Sequence, residues 1–291
     1  MAALKELKGR IGSVASSEKI TGAMKMISSA KLHKAMRALQ RLQPFRRQIS
    51  TIFANILSSD AQFASPLLEE REVANCAIVA LGSDDGLCGA YNANTVKSLQ
   101  SEIDALLAAH PAARVKVMTV GEKIRKAAQK LRGAEVVAAD GVNSKSSGAD
   151  VNDFSANLQR LFLVGEFDRV DLAYMSFKSI SRQRFAMSHL LPVSVDALAA
   201  ETSAVADNRP YIFEPDASTI FDVALPMYLM SVVQDVFVEN QASEQAARVM
   251  AMQSANDNAK KLLEQLRLEY NKLRQQSITT ELLDILGGQV R

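Results

Sequence analysis

The sequence predicts an α/β fold with two oversized helices: a long antiparallel coiled coil of the N- and C-terminal helices, plus a central α/β domain with a mainly parallel sheet. Three observations predict it. Apolar residues near both chain ends recur at alternating spacings of three and four, the interval of a coiled-coil seam. No Gly or Pro interrupts residues 227–286, leaving 60 residues able to form one helix about 90 Å long. The middle of the chain alternates short apolar runs with helical patterns, as strand–helix–strand units do.

Residues 1–60 are expected to form the first helix. Leu4, Leu7, Ile11 and Val14 begin a seam, and Leu32, Ala35, Leu39, Leu42, Ile49, Phe53 and Ile56 carry one further along. No apolar side chains join the two runs in phase, so a slip in the seam with a local change of winding is predicted near residues 18–20. Gly9, Gly12 and Gly22 each cost a helix about 1 kcal/mol, and an interior proline such as Pro44 about 3. Packing against a partner helix must offset that cost.

Residues 215–288 supply the partner. Val249, Met252, Asn256, Ala259, Leu263, Leu266, Tyr270 and Leu273 keep a strict three-four spacing, and Asn256 places a polar side chain at the seam, where it can set register. The alternative is two long helices packed on one globular core. Length argues against it, because a helix of about 90 Å exceeds the diameter of an ordinary domain.

Residues 70–210 are expected to form the α/β domain. Strands are predicted at 73–81, 115–120, 135–138, 170–177 and 185–191, with helices beginning near Asn92 and Glu122 and another over 153–164. Residues 141–150, rich in Ser, Gly and Asn, read as a flexible loop.

Composition narrows the function. With 291 residues and 48% hydrophobic content the chain can bury a sizeable core. It contains no run of 18 apolar residues, and its start, MAALKELKGR, is not a continuous apolar segment, so work at a membrane would be done from the surface. Two cysteines and three histidines are too few for a disulfide framework or a zinc cluster. Net charge is +2, yet residues 1–50 alone carry an excess of +9.

An α/β domain invites a search for a nucleotide. The loop Gly82-Ser83-Asp84-Asp85-Gly86-Leu87-Cys88-Gly89 follows the first strand, where phosphate sits in such folds. It lacks both the G-x-G-x-x-G spacing and the phosphate-cradling lysine pattern, and Asp84 and Asp85 would oppose phosphate, so a structural turn is the preferred reading. Cys88 has no nearby histidine in sequence to act as base and reads as a buried thiol. His33, His110 and His189 read as incidental. The basic stretch 31–47, KLHKAMRALQRLQPFRR, suits nucleic acid, an anionic membrane or an acidic protein, against the plain alternative of a solvated helix face; its single aromatic residue, Phe45, leaves base stacking unsupported. No catalytic, cofactor or metal site is predicted.

Four segments carry a family resemblance. RIGSVASSEKITGAMKMISSAKL at 10–32, SDDGLCG at 83–89, YIFEPD at 211–216 and SITTELLDILG at 277–287 stand in the order in which the gamma subunits of rotary ATP synthases carry similar segments, and the likeness spans essentially the whole chain. The resemblance implies a non-catalytic central shaft that couples proton flow to ATP synthesis or hydrolysis in the head. Its implied partners are three alpha and three beta subunits, an epsilon subunit and the membrane ring of c subunits, with one copy of the shaft per complex and no nucleic acid. It implies no bound cofactor. Residue by residue it implies head contacts at Met24, Arg248, Gln275, Thr279, Glu281 and Asp284, and ring contacts at Tyr211, Phe213 and Glu214. Phe213 stands where tyrosine is frequent in the family, and Asp284 where glutamate is. The lack of a transit-type segment behind Met1 points to the cytoplasmic face of a bacterial inner membrane. A nucleotide-dependent enzyme and a nucleic-acid-binding coiled-coil adaptor are the competing readings, to be separated by nucleotide binding and by salt-dependent nucleic-acid affinity.

Overall fold

The computed structural model describes residues 2–57, 65–202 and 212–288. Helix α1 covers Ala2–Leu57 and α6 covers Ala217–Gly288, 56 and 72 residues that correspond to about 84 and 108 Å of helix. Both run through a proline, Pro44 in α1 and Pro226 in α6, so α6 begins ahead of the predicted uninterrupted stretch. Packing offsets the proline cost. Phe53 of α1 meets Phe221 and Tyr228 of α6 edge-on at 5.4 and 5.5 Å between ring centroids.

The predicted slip in the first helix does not occur. Between Val14 and Leu32 the inward positions are Glu18, Thr21, Lys25 and Ser28, which continue the three-four alternation without a break. The seam is there; its side chains are polar. Asn256 meets this polar layer, its Nδ2 donating to the Glu18 carbonyl at 2.7 Å and to Thr21 Oγ1 at 3.3 Å. Gly22 leaves room for the approach, since a Cβ there would lie a tight 3.3 Å from Asn256 Nδ2.

Between the long helices lie β1 (Asn75–Leu81), α2 (Tyr91–Ala109), β2 (Arg114–Val120), α3 (Glu122–Ala128), β3 (Ala134–Ala138), α4 (Gly148–Leu163), β4 (Arg169–Ser179), β5 (Arg182–Leu191) and α5 (Val195–Thr202). The sheet order is β3-β2-β1-β4-β5, with the first four strands parallel and β5 antiparallel to β4. All five predicted strands form. Central β1 is apolar on both faces: Cys76, Ile78 and Ala80 share a core with α2 and α3, while Ala77, Val79 and Leu81 share one with α4, α6 and the end of α1.

The early part of α6 lies in a helix apolar enough by length and composition to cross a membrane, with a window of mean hydropathy 1.4. In the fold its Phe221, Leu225, Leu229, Val233 and Phe237 are buried in the core beneath the sheet.

The expected flexible loop is instead held. Helix α4 starts at Gly148, capped reciprocally by Ser147 and Asp150, and Asn143 N donates to Ser146 Oγ at 2.8 Å. The largest restraint comes from outside the loop. Asp84 Oδ2 accepts from Ser144 N at 2.9 Å and Ser144 Oγ at 2.7 Å.

Candidate functional site

In an open parallel sheet the ligand crevice lies beyond the carboxyl ends of the strands where connections leave on opposite faces. Here that point is between β1 and β4, and the chain fills it. From the loop after β1, Asp84 Oδ1 accepts from Glu122 N at the start of α3 at 2.9 Å, bracing the loop against the neighbouring β2–α3 connection. Gly82 cannot carry a side chain, because a Cβ would sit 2.4 Å from the Cβ of Ile124. Gly121 has φ +118, and a Cβ there would lie 2.7 Å from the Ser83 carbonyl oxygen.

Helix α6 closes the crevice from the other side. Asn240, 1% exposed, donates from Nδ2 to the Gly82 carbonyl at 3.1 Å and accepts from Tyr91 O–H at 2.7 Å. Glu239 Oε1 accepts from Ser176 Oγ at 2.7 Å and from Phe177 N at 3.0 Å, at the end of β4. Arg248 donates from Nε to the Gly86 carbonyl at 3.1 Å and from Nη2 to the Asp85 carbonyl at 3.2 Å, and pairs with Glu244 at 2.7 Å.

Burial raises the Glu244 carboxyl above its usual range even with Arg248 opposing the shift, and burial, then Glu244, pushes the Tyr91 phenol well up. The hydrogen bond from Lys145 lowers Asp85. Glu244 and Tyr91 are buried within the cluster, whereas the Asp85–Lys145 pair is exposed at its rim. Loop, α3 and α6 together leave the structural-turn reading of residues 82–89 as the one the geometry supports.

The thiols are internal. Cys76 is fully buried, and burial, then the Asp171 carboxylate, pushes it up to about 12. Cys88 is 4% exposed, with Ser83 Oγ at 3.6 Å. His189 has a structural partner: its Nδ1 meets Oδ1 of buried Asp171 at 2.7 Å, and Arg169 Nε donates to Oδ2 at 2.8 Å. No cluster of three or more His, Cys, Asp or Glu suited to a metal occurs among the described residues.

The residues implied by the resemblance fall into three groups. Gln275, Thr279 and Glu281 are exposed on the last turns of α6, and Met24 is half-buried on α1. Arg248 differs, because its side chain is 5% exposed and its guanidinium is spent on the Asp85–Gly86 loop and Glu244. Phe213 also turns inward, packing against the main core, while the preceding Ile212 is 96% exposed; Glu214 is exposed. Tyr211 and the side chain of Asp284 lie outside the described residues.

Sequence reading missed two features. Glu239, Asn240 and Glu244 form the crevice plug, and their signal was a polar cluster within an otherwise apolar part of α6. Apolar side chains also stand exposed along the coiled coil, among them Ile20 (62%), Met26 (69%), Leu268 (66%) and Leu283 (63%). On α1, Leu32 and Ala35 pack on Ala242 and Ala246, so the basic stretch 31–47 presents Lys31, Lys34, Arg37 and Arg41 to solvent.

A two-helix rod standing on an α/β layer, with the layer's ligand crevice closed by the rod itself, defines a stalk-type protein. Comparison with known proteins gives the particular case. The family model described as ATP synthase matches residues 3–290. The ATP synthase gamma chain of Bacteroides thetaiotaomicron is 38% identical, with 100% of both chains covered, and that of Chromobacterium violaceum is 36% identical over 99% of each. The chain belongs to the ATP synthase gamma chain family. Among solved structures, a chain of the Euglena gracilis mitochondrial ATP synthase in an assembly described as OSCP/F1/c-ring matches with TM-score 0.62 at 20% identity, covering 99% of this chain and 94% of that one. A second from the rotor of the same enzyme matches with TM-score 0.57 at 19% identity, covering 95% and 99%. At those identities the structures establish the shared fold.

Proposed function

We propose that the chain is the rotating, non-catalytic central shaft of a proton-translocating ATP synthase on the cytoplasmic face of a bacterial inner membrane. Its coiled coil, residues 1–60 with 215–288, stands inside a head of three alpha and three beta subunits. Its α/β foot, residues 70–210, sits with an epsilon subunit on a ring of c subunits. Proton flow turns the ring and foot, and the shaft carries the rotation to the head.

The observation that carries this reading is the rod itself: helices of 56 and 72 residues paired by a continuous seam, in a chain matched over its whole length by bacterial gamma chains. The filled crevice supports the non-catalytic part. Moving a head subunit from 1:99 to 99:1 between two states needs about 5.5 kcal/mol, whereas an exposed ion pair contributes about 0–1. The bulk of the asymmetric rod therefore does most of the work by excluding head conformations. Exposed Gln275, Thr279 and Glu281, half-buried Met24 and the cationic face of α1 define rotary position. Exposed Glu214 faces the ring.

Cross-linking tests this reading. Cysteine at Met250, which is 42% exposed, and another on the facing catalytic-subunit loop should form a disulfide on oxidation. Sustained ATP turnover should then stop, and return on reduction. Quantitative cross-linking with turnover unchanged would refute a rotating shaft.

A further inference from the structure

We propose that the polar plug in the β1/β4 crevice is the torsional joint of the rotor, the set of directed bonds that fixes the angle between α/β layer and coiled coil. The inference rests on the shaft reading and assigns Glu239, Asn240 and Arg248 as the residues that transmit turning force.

Apolar burial supplies the cohesion between the two parts, and hydrogen bonds are the directed component of the contact. Phe221, Leu225, Leu229 and Val233 of α6 are buried below the sheet, and apolar burial is non-directional. The plug adds direction. Gln234 binds Gly148 and Asn152, and Gln241 binds Ser144, further round the layer; seven more bonds lie in the plug, from Tyr91 O–H to the Asn240 side chain and carbonyl, Asn240 to Gly82, Ser176 and Phe177 to Glu239, and Arg248 to Gly86 and Asp85. They reach the end of β1 on one side and the end of β4 on the other, so turning α6 in either sense stretches one set.

The loop they hold is braced in turn. Asp84 fastens it to Glu122 and Ser144, and Gln241 Nε2 donates to the Ser144 carbonyl at 2.9 Å. The joint also lies where α6 leaves the layer. Gly89 faces Ala251, and beyond it the buried side chains of α6 are those of the seam: Met252, Asn256, Leu263 and Leu266. Torque passing between foot and rod crosses this level.

The test is single-molecule angular fluctuation in the assembled head complex, immobilised through the head without ATP. A bead is attached to cysteine at exposed Glu102 on α2; native Cys76 and Cys88 are buried and do not compete. Torsional stiffness follows from the spread of bead angles. Glu239→Ala removes two of the ten bonds, at a half-buried site where Ser176 and Phe177 can bind water instead, and Glu239→Ala with Asn240→Ala removes four.

If the ten named bonds act as equal parallel springs, stiffness falls by about one fifth in the single variant and about two fifths in the double. ATP hydrolysis by the head is unchanged, and Glu239→Gln, which keeps an acceptor oxygen, restores stiffness. Should the double variant fail to assemble, the single one decides. Unchanged stiffness in an assembled Glu239→Ala complex, or a Gln variant as soft as the Ala variant, overturns the joint. A native complex whose bead does not turn when ATP is supplied refutes the shaft reading instead.

Discussion

Removing Arg248 should destabilise the chain mainly by stranding Glu244, and the size of the loss should depend on pH. The two side chains are 5% and 4% exposed and 2.7 Å apart, so neither has water to replace its partner. Breaking a buried pair from one side costs about 3–5 kcal/mol, because an uncompensated charge remains. Arg248→Met is therefore expected to lose about that much near pH 7.5, measured by urea unfolding of the full chain followed by circular dichroism.

Glu244 fixes the sign of the pH effect. Its folded carboxyl is already raised above 4.5 by burial, with Arg248 holding the shift back. A raised folded carboxyl contributes stability that is fully present below the unfolded value and is lost as pH rises through the folded one. Removing Arg248 raises the carboxyl further, so the deficit should be largest near neutrality and shrink as pH falls toward about 5. Glu244→Gln in the Arg248→Met background should recover about 2 kcal/mol of the neutral-pH loss. The remainder, about 1–3 kcal/mol, reflects the Asp85 and Gly86 carbonyls that lose their donor. A deficit equal at both pH values, or below about 1 kcal/mol, would refute the argument.

Three further outcomes are expected. Asn256→Leu should change stability by no more than about 1 kcal/mol, since the lost bonds to Glu18 and Thr21 are offset by apolar burial, while register loosens; spin labels at exposed Ser13 and Glu264 should show a broadened distance distribution, and a single sharp distance would count against Asn256 as the register pin. Gly82→Ala should destabilise by about 1–3 kcal/mol or more through its clash with Ile124, and combining it with Ile124→Ala should be less than additive in denaturant unfolding. Replacing Gln275, Thr279 and Glu281 together should impair ATP synthesis far more than Glu281→Ala alone, and equal losses would argue against a shared contact network.

The rod was legible because coiled-coil periodicity is a property of local sequence. Val249 through Leu273 point inward as their spacing predicts, and the five strands stand out as apolar runs between turn residues. The resemblance at the chain ends then identified the family. The slip predicted near Glu18 fails for a related reason: the pattern records hydropathy, whereas the seam is set by geometry. Glu18, Thr21, Lys25 and Ser28 hold inward positions because the helix continues unbroken, and Asn256 on the other helix answers their polarity.

What tertiary structure alone decided lies in contacts between distant segments. Residues 141–150 read as flexible from composition, yet Asp84, 60 positions before Ser144, anchors them. Arg248 on α6 looks like a surface cation until the fold brings the carbonyls of Asp85 and Gly86, more than 160 positions away, against it. Sequence by itself determined the rod, the sheet and the absence of a nucleotide motif in the glycine loop. That the crevice is filled, and filled by the shaft's own helix, depends on side chains meeting across the fold, and no local period encodes such a meeting.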